Sequence, residues 1–450
     1  MKLKKFDYKL HYEKAEKKKR ILVILSAVVI CVLITLASSY AYYQSIELQN
    51  PYNTEVGEFD PNQVMLAITV EGSPVDYYPS KSSGYVGKVT CDKGAKGSWD
   101  VDSWSIKVLN VTETKTVCNI DFIEASNLNE AILAQYGGAA SITTASAGTF
   151  SAISTESTNV MYKIEDDYGT SYYYRGAKVL LNNNIIFAGY QWKIVRINGN
   201  ESTKIIYNGS CSNNNCTIND TGTATQIKMG KYGDKSNDAK YVGYMYGGEV
   251  GVSSTSRAQA VTNEASNSAK KELETWYIAN IENKGYSDYI SDTLFCNDRR
   301  LRNEVGGTST GPGYGSTTTL YAAYYRLYTN KIPTLLCGNK NDKFTVNDVI
   351  VGNGDLSKPV GLITGDEISL AGAINASYNL TFYLNTDQNW WSMTPNREGN
   401  MWTMRTGGYY DGVGILLDPT NSVGFRPVIN LNLGTMVTGS GSATDPFVVI

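Results

Sequence analysis

Histidine is nearly missing: the one imidazole in 450 residues is His11, ahead of a long apolar run. Histidine is the usual general base near neutral pH and the commonest metal ligand. Its absence from everything downstream excludes a Ser-His-Asp or Cys-His relay and a histidine-bound zinc there. No CxxC pair occurs, which removes a cysteine zinc ribbon as well. Charge is also sparse, at 18% of residues. What replaces it is Tyr, Asn, Ser, Thr and Gly, a composition of β-rich exported proteins more than of cytosolic enzymes.

The charge that exists is unevenly placed. Residues 2–20 hold nine Lys and Arg against Asp7, Glu13 and Glu16, a balance of +6. Taking these from the totals of 40 basic and 43 acidic residues leaves the remainder at −9. An acidic exterior offers nothing to neutralise a phosphate backbone, so nucleic acid is not an expected partner. Residues 21–37 are free of charge, and the uncharged stretch runs on past Tyr40, Tyr42 and Tyr43 to Ile46. About 20 residues at ~1.5 Å each cross a ~30 Å hydrocarbon core. Basic residues before the run place the N-terminus in the cytoplasm, and the tyrosines suit the far interface. The expectation is a single-pass anchor at 21–43 after a cytoplasmic tail at 1–20, with the bulk extracellular. The alternative is a cleaved signal peptide, for which Ser39-Tyr40-Ala41 supplies a small-residue site.

Six cysteines lie outside that run: Cys91, Cys118, Cys211, Cys216, Cys296 and Cys337. An even number in an exported chain suggests three disulfides, with fifteen possible pairings. Sequential pairing is favoured, because each neighbouring couple falls within one expected structural unit.

Residues 44–63 read as a polar stalk. Residues 64–123 alternate short strand patterns with turns, as expected of a small β-sandwich. The Ser/Thr-rich stretch 124–159 reads as a connector, with a short helix at 127–136 stopped by Gly137-Gly138. The largest domain spans 160–450. It opens with strands on either side of Asn198-Gly199, a hairpin signal. A helix is expected at 266–281, where Leu273, Trp276, Tyr277 and Ile281 share a face. Thr364-Gly365-Asp366-Glu367 has the form of a capping box.

Several ordered blocks in this domain are familiar. They include Glu165-Asp166-Asp167-Tyr168-Gly169, Phe187-Ala188-Gly189-Tyr190-Gln191-Trp192, Leu273-Glu274-Thr275-Trp276-Tyr277 and Phe295-Cys296-Asn297-Asp298-Arg299. Trp391-Ser392-Met393-Thr394-Pro395 and Gly424-Phe425-Arg426-Pro427 complete the series. Together they resemble an uncharacterised domain of surface proteins in low-GC Gram-positive bacteria, a family with no established activity. The C-terminal blocks also resemble the C-type-lectin-like fold in its formylglycine-generating-enzyme variety. Its oxidase cysteine pair has no counterpart here, since Cys337 precedes the whole Trp-Arg block. The fold class these resemblances imply is α+β: a transmembrane helix, a small β-sandwich, then a C-type-lectin-like domain.

Motifs for chemistry are thin. Gly307-Thr308-Ser309-Thr310-Gly311 matches a nucleophile elbow but has no histidine to serve it. Ser268-Ala269-Lys270-Lys271 matches SxxK without the KTG element that completes such sites. Asp166-Asp167 and Asp366-Glu367 are the carboxylate pairs a glycosidase would need across a scissile bond, though turn and helix-start positions account for them. Asp298-Arg299-Arg300 reads as an ion-paired disulfide loop, and Arg426 as a strand anchor. Asp411 and Asp418 lack any EF-hand-like spacing, so no metal and no cofactor is expected. The aromatic-polar cluster Trp390, Trp402, Arg405, Tyr409, Tyr410 and Asp411 is the candidate binding site. Ring faces beside Arg and Asp suit sugars or protein loops. The expected function is non-catalytic ligand binding or adhesion toward a glycan or protein. Its rivals are a carboxylate-dependent glycan- or peptidoglycan-acting enzyme and a structural envelope protein.

Overall fold

The computed structural model describes Lys17 and residues 52–53, 64–100, 103–211, 216, 218, 221–235, 238–248, 254–308, 311–314, 318–397, 400–411 and 418–450. They form two units that divide after Glu124.

In the first unit, β1 (Val64–Val70), β2 (Tyr85–Cys91), β3 (Lys96–Asp100), β4 (Ser105–Leu109) and β5 (Thr116–Glu124) make two sheets. Along β5 every second residue is buried: Thr116, Cys118, Ile120 and Phe122. That is the period-two signature of a strand with one face on a core. The sheet is mixed, because β1 runs parallel to β5 while β2 runs antiparallel to it. Trp99 meets the Phe122 ring edge-on with centroids 5.0 Å apart. Gly97 fits where a Cβ would fall 2.2 Å from a methyl of Val89. The disulfide Cys91–Cys118 joins residues directly opposite each other on β2 and β5.

The second unit is built on two larger sheets. Its chain begins with a two-residue strand, Ser126–Asn127, and α1 (Leu128–Ala134), whose N-cap Asn127 accepts from the amides of Asn129 and Glu130. Leu128, Ile132 and Ile142 are buried in the main core, so the stretch expected as a connector is packed into this unit. Next come β6 (Asn159–Asp166), β7 (Gly169–Gly176), β8 (Asn184–Phe187), β9 (Tyr190–Ile197) and β10 (Thr203–Ser210). The hairpin between β9 and β10 turns through 198–202, with Glu201 in the left-handed region. After α2 (Ser268–Asn280) and α3 (Gly365–Ala371) come β11 (Ser377–Tyr378), β12 (Trp390–Pro395), β13 (Met401–Arg405) and β14 (Tyr409–Asp411). The unit closes with β15 (Val423–Phe425), β16 (Val428–Leu431), β17 (Met436–Thr438) and β18 (Phe447–Val449). One sheet runs β16-β10-β9-β8-β18-β17 and ends on Ser126–Asn127, with β7 also paired to β9 and β6 to β7. The other runs from the short strand Lys228–Gly230 through β15-β12-β13-β14 to β11 at its edge.

Two expectations are corrected. The described residues are mostly β, with 34% strand against 20% helix in several sheets, rather than an α+β chain with a transmembrane helix and a C-type-lectin-like domain. The single-pass localisation with an extracellular bulk is likewise unsupported. Among the described residues no helix is long and apolar enough to cross a membrane. The longest α-helix among them, α2, has 13 residues and spans only about 20 Å at 1.5 Å per residue. The segment 21–43, and the stalk apart from Tyr52 and Asn53, lie outside the described residues.

Candidate functional site

The expected aromatic site divides into a buried part and a surface part. Trp390, Trp402 and Tyr410 are fully buried, as is Trp391. Neighbours on a strand point to opposite faces, so two adjacent buried tryptophans mean that β12 is covered on both sides. The Trp391 indole donates to the Gly230 carbonyl at 3.0 Å, and the Arg426 guanidinium lies over Trp390. Trp402 and Tyr410 pack with centroids 5.1 Å apart, and the Tyr410 hydroxyl donates to the Gly365 carbonyl at 2.8 Å. These rings hold α3 against the sheet. They cannot meet a ligand. The side chain of Asp411 lies outside the described residues, and the Asp418 carboxylate caps Thr420. No group of three or more metal-binding side chains gathers among the described residues.

Arg405 and Tyr409 do reach the surface. The Arg405 guanidinium stands 5.8 Å from the Tyr409 ring centroid, and Tyr409 lies 4.6 Å from Tyr378 on the edge strand β11. The bridge between Ala177 and Phe382 brings a second segment alongside. Lys178 donates its amide to the Thr381 carbonyl at 2.8 Å, which sets Val179 and Leu180 near Leu380. Tyr378 is 65% exposed, Leu380 62% and Val179 79%. An aromatic pair with an arginine and three aliphatic side chains forms a surface platform. Tyr378, Leu380 and Val179 carried no sequence signal, because nothing local foretells a pairing across some 200 residues.

The remaining motifs resolve structurally. Lys270 pairs with Glu274 at 2.8 Å on α2, and Lys271 of the SxxK match is exposed. Ser309 of the elbow match lies outside the described residues. Arg426 donates to the carbonyls of Tyr207 and Leu384 and to the Asn208 side chain, fixing β15 and β16 in the core. The disulfides Cys211–Cys216 and Cys296–Cys337 complete the sequential pairing. Asp298 and Arg300 pair at 2.7 Å beside the second of them, and Arg299 pairs with Asp342 at 2.5 Å.

A recess of about 380 Å³, counting space open to solvent, lies where α3 meets β9 and β10. Arg196 and Lys204 are register partners on those strands. Both reach Glu367, the third residue of the capping box that Thr364 opens. Oε1 of Glu367 accepts from Arg196 at 3.0 Å and Lys204 at 2.8 Å, while Oε2 accepts from the backbone and hydroxyl of Thr364. Arg196 also pairs with Asp166 at 2.6 Å. Asp366, next to Glu367, turns instead to Arg326 at 2.8 Å, and Arg326 bridges to Asp298 at 2.6 Å. Arg326 comes from a π-helix, Tyr324–Asn330, and Asp298 sits at φ +25°. Both are uncommon backbone states that concentrate at functional sites.

The electrostatics of the recess decide what it can do. Burial pushes the Glu367 carboxyl up, but Lys204, Arg196 and the Thr364 amide outweigh it and hold it at about 2. Burial likewise raises Asp298, and Arg326 and Arg300 bring it below the ordinary carboxylate range. Burial lowers Lys204 to about 8 against the pull of Glu367. An acid–base pair for glycoside hydrolysis needs one carboxyl kept protonated near neutral pH. Glu367 and Asp298 are held in the opposite state.

A pH dependence follows. Glu367 has a folded pKa below its ordinary 4.5, so its stabilisation is complete above that value and is lost as pH falls toward 2. Urea midpoints measured from pH 6 to 2 should therefore fall in the wild type, with a shallower fall in Glu367→Gln. Equal slopes would mean that this carboxyl is not the group being protonated.

No family model, no curated protein and no solved structure matches the chain. The resemblance to a surface-protein domain rests on the sequence blocks alone.

Proposed function

We propose that this chain is a non-catalytic binding module that grips a protein ligand on the platform of Tyr378, Tyr409 and Arg405. The observation that carries this is the composition of the platform. Tyrosine and arginine are the residue types that dominate binding energy at protein interfaces, and here they stand in ring contact at the surface. Exposed Val179, Leu180 and Leu380 beside them extend the apolar area. A sugar site would surround its rings with polar groups, whereas aliphatic neighbours suit the side chains of another protein. The clamped carboxylates and the missing imidazole favour gripping over turnover.

The test is an array of purified proteins and glycans probed with wild type and with Tyr378→Ala/Tyr409→Ala. Protein spots should weaken at least tenfold in the double variant, about the loss of one interfacial hot spot. Unchanged spots would remove the platform as the binding face. Loss confined to glycan spots would replace the protein ligand with a sugar.

A further inference from the structure

A loop ahead of α3 has an unusual construction. Val349 is 65% exposed and Ile350 90%, yet the backbone beneath them is tightly held. Asp292 accepts the amides of Val346, Asn347 and Asp348 at 2.6–3.0 Å. Asp348 in turn accepts those of Ile350 and Val351, and takes the Tyr168 hydroxyl on its other oxygen. The Lys340 ammonium donates to the carbonyls of Val349 and Ile350, both at 2.8 Å. Thr345 closes the turn by donating to the Asp348 carbonyl at 2.7 Å.

Two consequences follow from these bonds. The loop is ordered before any contact is made, so docking costs it little further entropy. The amides of Val346, Asn347, Asp348, Ile350 and Val351 and the carbonyls of Asp348, Val349 and Ile350 have partners within the protein, so the tip can leave water at little cost in orphaned peptide groups. A braced prong with two aliphatic side chains in solvent is built to enter apolar surroundings. Its flank is acidic: Asp292 and Asp348 spend their oxygens on amides and a hydroxyl, Lys343 is paired with Asp167, and Lys340 is spent on the tip carbonyls. An acidic flank selects an apolar surface that carries cations.

This chain has one. The platform joins Val179, Leu180, Leu380 and the tyrosine pair to the Arg405 guanidinium. We propose that Val349 and Ile350 of one copy dock onto the Tyr378–Tyr409 platform of a second copy. Prong and platform are different surfaces of one chain, so the contact is heterologous and propagates head to tail into rings or filaments. The inference rests on the platform being a binding face, and it names the occupant.

A mixing experiment on the full-length, disulfide-bonded protein tests it. Ile350→Asp removes the prong and keeps the platform; Leu380→Asp does the reverse. Sedimentation velocity should show wild type growing in mass with concentration, each variant monomeric, and an equimolar mixture forming a one-to-one dimer. Association in either variant alone should be at least tenfold weaker than in wild type. Circular dichroism checks that both fold, and Ile350→Ser and Leu380→Ser replace any that does not. A wild type that stays monomeric overturns the inference, as does a mixture that fails to pair or a variant that still associates. Binding only to an unrelated protein or to vesicles also overturns it. If self-association fails but Tyr378→Ala/Tyr409→Ala still loses its array ligand, the platform stands and only the second copy is removed.

Discussion

Replacing Glu367 with glutamine should cost about 3–5 kcal/mol of folding stability, the usual result of stripping one partner from a buried ion pair. The charge lost is small beside what it leaves behind. Arg196 keeps Asp166, but Lys204, only 2% exposed along its side chain, has Glu367 as its sole salt-bridge partner among the described residues. A buried ammonium without its counterion must either shed its proton or drag water inward. The capping box survives in part, since a glutamine side chain can still accept from Thr364. Urea unfolding of the variant is therefore expected at a much lower midpoint with the same slope. Adding Lys204→Met should recover much of the loss, because the double variant buries no lone charge. A single variant within about 1 kcal/mol of wild type would mean that the clamp contributes little. A double variant worse than the single would place the cost in packing.

Trp402→Ala is the second large effect, again about 3–5 kcal/mol. The indole is fully buried against Tyr410, and Ser392 donates to the Trp402 carbonyl at 2.6 Å within the same sheet. Nothing adjacent can collapse cheaply into the void, because Gly365 already lets α3 approach so closely that a Cβ there would lie 2.6 Å from the Tyr410 hydroxyl oxygen. Tyr409→Ala, one residue from Tyr410 but facing out, should cost less than about 1 kcal/mol, as surface substitutions do. The contrast separates fold from binding at neighbouring positions. Ligand binding lost in Trp402→Ala with stability intact would return that tryptophan to the surface.

Local signals in the sequence translated well. The capping box at Thr364, the helix carrying Leu273 and Tyr277, and the turn at Asn198-Gly199 each depend on residues within a few positions of one another. Cysteine pairing was equally readable, since each bridge closes within one unit. Exposure was not. Trp402, Arg405, Tyr409 and Tyr410 belong to one Gly-containing stretch, yet it forms strands on which Trp402 and Tyr410 are buried while Arg405 and Tyr409 reach the surface, a division set by what packs on the sheet. The recess was invisible for another reason. Its charges come from positions 196, 204, 298, 326, 366 and 367, and only the last two are neighbours. Asp366-Glu367 read as a helix start, which they are, but their separate destinations, Arg326 and Arg196 with Lys204, are properties of tertiary packing.

The last strand described above has a temporal implication. β18 lies parallel to β8 and antiparallel to β17, which in turn holds Ser126–Asn127 at the margin of the same sheet. Segments at opposite ends of the second unit are thus stitched together, and such distant pairings are slow to find. While the ribosome is still at work, that sheet waits open, lacking its stitch until residues 447–449 emerge. Until then the edge of β8 stands unpaired, the kind of exposed strand edge that makes incompletely folded chains prone to aggregate.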